Sequence, residues 1–361
     1  MSSFWNNRIS ISIFGEADGP AIGVTIDNLP VGEPIDADAI AHFMSRRNIS
    51  DPEKPQRRIG LPRIMSGISR NRTSGAPLCA FINNTPSKAV KHDGLDKLVR
   101  PGHADYTGAV RYKGYTDVRD SNNFSDNLTI PLCFAGAVCA QILERRGIYT
   151  GAHILSIHNI KDNPYDPVNI TRDGILSIRE KNFPVINDFR GRKMLEDIRK
   201  ASMGGETLGG VIECASVNVP AGIGSPIFNG LENSIAQLVF GIPGVKGLEF
   251  GSGFRSAGMI GSQNNDDFYV DAHGHVVTRT NNHGGILGGI SSGMPITLKA
   301  AVMPSTVIGK AQETVNSREL TGEALNGETE VVCTVAGAAV CIEAAVNIAL
   351  LSHMIDYPNF C

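Results

Sequence analysis

The residues from Asn281 to Gly293 read Asn-Asn-His-Gly-Gly-Ile-Leu-Gly-Gly-Ile-Ser-Ser-Gly, with two Gly-Gly pairs close together. Removing Cβ atoms there lets something flat or phosphorylated approach the backbone; a tight corner between strands is the alternative reading. Gly251-Ser-Gly-Phe254 and Gly261-Ser-Gln-Asn-Asn-Asp266 add neutral donors suited to the pyrimidine edge of a flavin or to a phosphate, although a solvated turn has the same composition. Neither stretch is the dinucleotide pattern G-x-G-x-x-G, and no Gly-Lys-Ser/Thr follows as in a P-loop. Nicotinamide and ATP chemistry therefore lose their main support. His103 sits in Arg100-Pro-Gly-His-Ala-Asp-Tyr-Thr107; alone, a loop histidine is structural or solvated more often than catalytic. His273-Gly-His275 has metal-like spacing but lies in a polar turn with no third ligand evident, so no metal is expected.

These groups need a frame. Ile9, Ile11 and Ile13 alternate with Ser10 and Ser12, which predicts a strand with one buried face, and Ile22 to Ile26 reads as the returning strand. Asp36 is placed to cap a helix carrying Ile40, Phe43 and Met44 that ends at Arg46-Arg47, where cations also complement the helix dipole. Strands are expected near Ile64–Ile68, Leu78–Asn83, Val211–Val217 and Val245–Phe250. Helices are expected at Pro131–Leu143, Phe189–Met203 and Leu231–Phe240. The mixture of hairpins and helices favours an α+β class over a doubly wound parallel sheet.

The 361 residues include 42% apolar and 19% charged side chains, with 40 glycines, a core-forming composition with many tight turns. A net charge of -3 gives no pull toward nucleic acid or membranes, and no basic strip interleaved with aromatics is present. Seven cysteines form no C-x-x-C pair and most lie in apolar runs, which suits reduced core thiols in the cytoplasm. Met1–Arg8 has no signal-peptide pattern. The apolar run Val331–Ile355 carries Glu343, Asn347 and His353 and reads as a buried helix, not a membrane span.

Taken in order, F-G-E-x-x-G-P-A-x-G from Phe14, R-P-G-H-A-D-Y-T from Arg100, G-S-Q-N-N-D from Gly261 and T-N-N-H-G-G-I-L-G-G-I-S-S-G from Thr280 resemble the chorismate synthase family along nearly the whole chain. The resemblance implies a β-α sandwich with an internal pseudo-twofold repeat and helices packed outside antiparallel sheets. A single domain, 1–361, would comprise halves of about 1–150 and 205–361, with an excursion near 159–204. It further implies a homotetramer, reduced FMN as cofactor, and 1,4-elimination of phosphate from the small-molecule substrate 5-enolpyruvylshikimate 3-phosphate to give chorismate. On this basis His103 is placed to protonate or hydrogen bond the flavin, and Asp18 occupies the position of the leaving-group acid. Arg46, Arg47, Arg100, Arg119 and Asn127 fall at substrate positions. Asn123, Phe124, Ser125, Gln263, Asn264, Gly288, Pro304, Ser305 and Thr306 fall at cofactor positions.

Several of these positions depart from the family pattern. Its G-E-S-H-G is here Gly15-Glu-Ala-Asp-Gly19, and an ordinary aspartate is ionised at neutral pH. Its R-G-G-G-x-x-S-x-R is Arg119 to Asn127, which gains Asp120 and Asp126 and loses the closing arginine. Its K-P-T-S-S begins with Met303; the Asp of G-R-H-D-P-C falls on Val331 or Glu330, and a downstream Arg on Gly337. Cations are lost and carboxylates gained. Two further readings follow: a flavin-binding paralogue acting on a less anionic small molecule, or a non-catalytic subunit.

Overall fold

The protein is described by a computed structural model that covers residues 3–17, 19–48, 60, 62–84, 98–115, 124–317, 319–327 and 332–357. Two five-stranded antiparallel sheets dominate. The first runs in the order Phe4–Asn6, Ser10–Gly15, Ala21–Asp27, Leu78–Asn83, Arg63–Ser66. The second runs Val245–Phe250, Ile296–Val302, Gly210–Val217, Tyr149–Ile157, Ile160–Lys161. The helices are α1 (Ala37–Ser45), α2 (Asp105–Arg111), α3 (Thr129–Glu144), α4 (Arg172–Arg179), α5 (Asp188–Met203), α6 (Leu231–Val239), α7 (Gly261–Asn264) and α8 (Val335–Met354).

The α+β class holds, but the two longest apolar helices lie between the sheets and not outside them. α3 packs on the first sheet, α8 on the second, and the two pack on each other. The cause is composition: α3 is buried at all but two of its positions, and every residue of α8 except Gly337 is buried. A helix apolar all round cannot face water on any side. Both are long and apolar enough to span a bilayer, yet both are core helices here. Gly136 allows their close approach, since a Cβ there would fall 2.2 Å from the Ala344 Cβ. The amphipathic α4 and α5 keep to the outside, with Ile175, Ile178 and Met194 turned inward.

Local signals carry through. Ile9, Ile11, Ile22, Val24 and Ile26 are buried from the first sheet. Asp36 Oδ1 caps α1 by accepting from the Asp38 and Ala39 amides at 2.9 and 3.2 Å. α1 then tightens into a 3-10 turn over Arg46–Asn48.

Candidate active site

The Arg100 loop is fixed from both sides. Val99 N–H donates to Val315 O at 3.2 Å, and Thr314 Oγ1 donates to Val99 O, which ties the loop to the hairpin Gln312–Asn316/Thr321–Leu325. Gly102, at φ +74°, lays its backbone on Thr306, where a Cβ would meet the methyl at 3.0 Å. Arg100 then wraps Asp105: its amide and Nε reach Oδ2 at 3.0 and 2.8 Å, and Nη2 reaches Oδ1 at 2.7 Å. The same Oδ1 lies 2.5 Å from His103 Nδ1. Burial pushes the Asp105 carboxyl up, but the hydrogen bonds from Arg100 and His103 outweigh it and hold the group well below the usual carboxylate range.

The neighbouring wall comes from residues 124–129. Phe124 packs on buried Gly108 of α2, where a Cβ would come within 2.7 Å of the ring, and stands edge-on to Tyr112 at 6.3 Å. Ser125 Oγ accepts from Asn127 N–H at 3.2 Å and caps the turn Asp126–Leu128. Arg47 donates through Nε to Thr129 Oγ1 at 2.6 Å and through Nη2 to Asp126 O. The Asp126 carboxyl reaches solvent on one side and is hemmed by protein on the other; burial pushes it up, against the pull of Arg47 and His103. Ser305 and Pro304 complete this end: Ser305 O accepts from Thr207 Oγ1 at 2.7 Å, and Pro304 presses on Gly209.

Arg46 does not join this cluster. Its guanidinium turns into the core and pairs in a fork with Glu343 of α8, Nη1–Oε1 at 3.0 Å and Nη2–Oε2 at 2.8 Å. Arg179 adds a second cation to Glu343 at 3.2 Å and also meets Glu144 at 2.7 Å. Glu343 has no exposed surface, so it needs both cations to stay ionised, and that need claims Arg46.

Gln263, Asn264 and Gly288 lie elsewhere. Asp266 Oδ1 accepts from Asn282 N–H, Asn282 Nδ2 and Thr280 Oγ1 at 2.9, 3.0 and 2.5 Å, and its Oδ2 accepts from His283 N–H at 2.9 Å. Asn281 Oδ1 accepts from Gly285 N–H at 2.9 Å while its Nδ2 donates to Pro295 O at 2.8 Å. Asn281, Asn282 and Asp266 thus hold the glycine loop from within, whereas Gln263 is exposed. Gly251 and Gly284 are forced by contact, since a Cβ on Gly251 would fall 2.2 Å from Asn282 O. Gly288, exposed at φ +61°, has open space where a Cβ would stand. This second cluster sits at the Ile296 end of the strand Ile296–Val302, and the His103 cluster sits at the Val302 end. The strand between those two ends is six residue steps long, about 20 Å.

Asp18, Arg119 and Asn123 lie outside the described residues, as do Asp120 and Glu330. The sequence reading left Asp105 out; an acid two residues after a histidine, at the first turn of a helix, was the available signal. Among the described residues no group of three or more His, Cys, Asp or Glu side chains could hold a metal. His273 and His275 instead stack on the Asp271 turn, whose Oδ1 accepts both of their amides.

The sequence profile described as chorismate synthase matches residues 9–355. A chorismate synthase from Lancefieldella parvula is 37% identical over 99% of this chain and 98% of its own length. Another, from Korarchaeum cryptofilum, is 36% identical over 97% and 96%. A crystal structure of chorismate synthase superposes with a TM-score of 0.75 at 25% identity, covering 96% of this chain and 92% of that one.

Proposed function

The chain belongs to the chorismate synthase family, and from that premise we propose that it is a carbon–oxygen lyase acting on 5-enolpyruvylshikimate 3-phosphate. One C–O bond to phosphate breaks, one ring proton is removed, and chorismate forms with no net redox change. The observation that carries this reading is His103, clamped by Asp105 beside Arg47, Phe124, Asp126 and Thr306, on a chain that matches its curated relatives end to end.

Arg47 is the cation for an anionic substrate. Arg46 supports it only indirectly, by fixing the end of α1. Burial raises the Asp126 carboxyl against the pull of Arg47 and His103, which softens its repulsion of an anionic substrate.

Reduced FMN is the proposed cofactor, and the residues present fit it. The open Gly288 backbone, the neutral Gln263 and Asn264, and the Phe124 ring suit a planar ring with hydrogen-bonding edges. When bound, reduced FMN supplies electron density to the substrate as phosphate leaves. His103 then holds or passes a proton at the flavin edge; Ser125, Ser305 and Thr306 line that side. The two clusters lie at opposite ends of one strand, and a homotetramer is the proposed working assembly, each site drawing its glycine loop from a second copy. Six described cysteines are free, five of them buried, which suits the cytoplasm.

The test is anaerobic assay of the purified chain with chemically reduced FMN and the phosphorylated substrate. Chorismate formed at rates typical of an enzyme supports the reading; flavin binding with no turnover refutes it.

A further inference from the structure

His103 Nδ1 has two neighbours that make opposite demands. The Asp105 carboxylate at 2.5 Å can only accept, so it requires a proton on Nδ1; Arg100 Nη2 at 3.2 Å can only donate, so it requires a bare one. The distances decide between them. An unprotonated Nδ1 at 2.5 Å from a carboxylate oxygen would set lone pair against lone pair, whereas Arg100 is already satisfied by both Asp105 oxygens. Nδ1 therefore carries the proton. Nε2 has no hydrogen-bond partner among the described residues, and the ring is only 12% exposed.

We propose that Asp105 is the positioning residue for His103: it takes the Nδ1 proton, fixes the ring, and leaves Nε2 bare and outward as the atom that exchanges a proton with the bound ligand. This deepens the flavin-facing reading of His103 and rests on it. The arrangement follows a general rule: the hydrogen bond at one imidazole nitrogen sets the chemistry of the other. Three contacts from Arg100 keep Asp105 from rotating away, and the Gly102–Thr306 contact keeps the loop from shifting.

The full chain, labelled with 15N-histidine and free of flavin, gives the direct test. Its nine histidines are resolved in a long-range 15N–1H correlation at about pH 8, and His103 is assigned by loss of its signals in His103→Gln. Wild type is expected to show the Nδ1–H tautomer. Asp105→Asn is expected to shift the ring toward Nε2–H, because an amide no longer stabilises the Nδ1 proton by charge, and Asp105→Glu is expected to keep Nδ1–H. With reduced FMN and substrate, Asp105→Asn is expected to lower kcat by about 10- to 100-fold with KM within about twofold, and Asp105→Glu to recover part of the loss. An Nε2–H ring in wild type, or the same tautomer in wild type and Asp105→Asn, overturns the proposal. If Asp105→Asn does not fold, the wild-type tautomer and Asp105→Glu still decide it. The tautomer is read without flavin, so a wild-type chain with Nδ1–H that forms no chorismate refutes the activity and leaves the pairing standing.

Discussion

Glu343→Gln separates a structural role for Arg46 from a substrate role. Glu343 is wholly buried and meets two guanidinium groups at 2.8–3.2 Å. The amide removes the negative charge and leaves Arg46 and Arg179 facing each other, with Glu144, and Glu180 farther off, as counter-ions for Arg179. Breaking a buried pair of this kind costs about 3–5 kcal/mol. With an unfolding entropy of about 2.1 cal/mol/K per residue, 361 residues convert that loss to about 4–7 °C in Tm. Arg46→Met should cost less, because Arg179 still neutralises Glu343. Joining both changes as Arg46→Met with Glu343→Leu should recover much of the loss, since apolar replacement of a whole buried pair is often near neutral. Thermal unfolding of the four proteins checks the order. If Glu343→Gln melts within about 1 °C of wild type, or if Arg46→Met raises KM many-fold at unchanged Tm, the assignment of Arg46 to the core is wrong.

The Glu343 contribution also has a pH signature. Burial raises its carboxyl and the two arginines lower it further, so its folded value lies below its unfolded one. Its stabilisation is present above the ordinary carboxylate range and fades as pH falls through the folded value, so Glu343→Gln and wild type should converge in acid-unfolding curves. Asp126 has the opposite sign: a raised carboxyl disfavours the folded state above its midpoint, so Asp126→Asn should melt higher than wild type at pH 8 and lose that gain in acid. A lower melting point at pH 8 would contradict it. Gly337→Arg, which restores a family cation, should destabilise by about 1–3 kcal/mol without lowering KM, because its Cβ would fall 2.7 Å from Arg47 O; denaturant titration and initial rates measure both. Cys133 and Cys341, whose sulfurs lie 3.7 Å apart in the core, should label with a thiol reagent only on unfolding, whereas partly exposed Cys79 should label in the native protein.

Where one local pattern suffices, the sequence was readable. The Ile9–Ile13 alternation, the Asp36 cap and the strands at Leu78–Asn83 and Val245–Phe250 need only neighbours a few residues away, and they appear where the pattern puts them. The layer order was less legible. Periodicity says that α8 is buried all round but not that α3 supplies the other half of its surroundings. The site divides the same way. Short hydrogen bonds and glycine contacts fix the loops that carry His103, Arg47 and Thr306, and the contacts of His103 with Asp105 and Arg100 follow from residues near one another in one motif. The Arg46–Glu343 pairing was not legible, because the partners are 297 residues apart and a lone glutamate in an apolar helix does not announce which cation it will claim.

The strand Ile296–Val302 places the His103 cluster and the glycine loop at its two ends, and under the proposed assembly each site draws one end from each of two chains. Mixing two defective proteins makes this visible. Chains lacking the His103 imidazole and chains carrying a bulky side chain at Gly288 should each be inactive alone. After joint unfolding and reassembly, a mixed pair holds one doubly damaged site and one intact site. Random pairing of equal amounts then restores about a quarter of full activity, a recovery that no single-chain site could give.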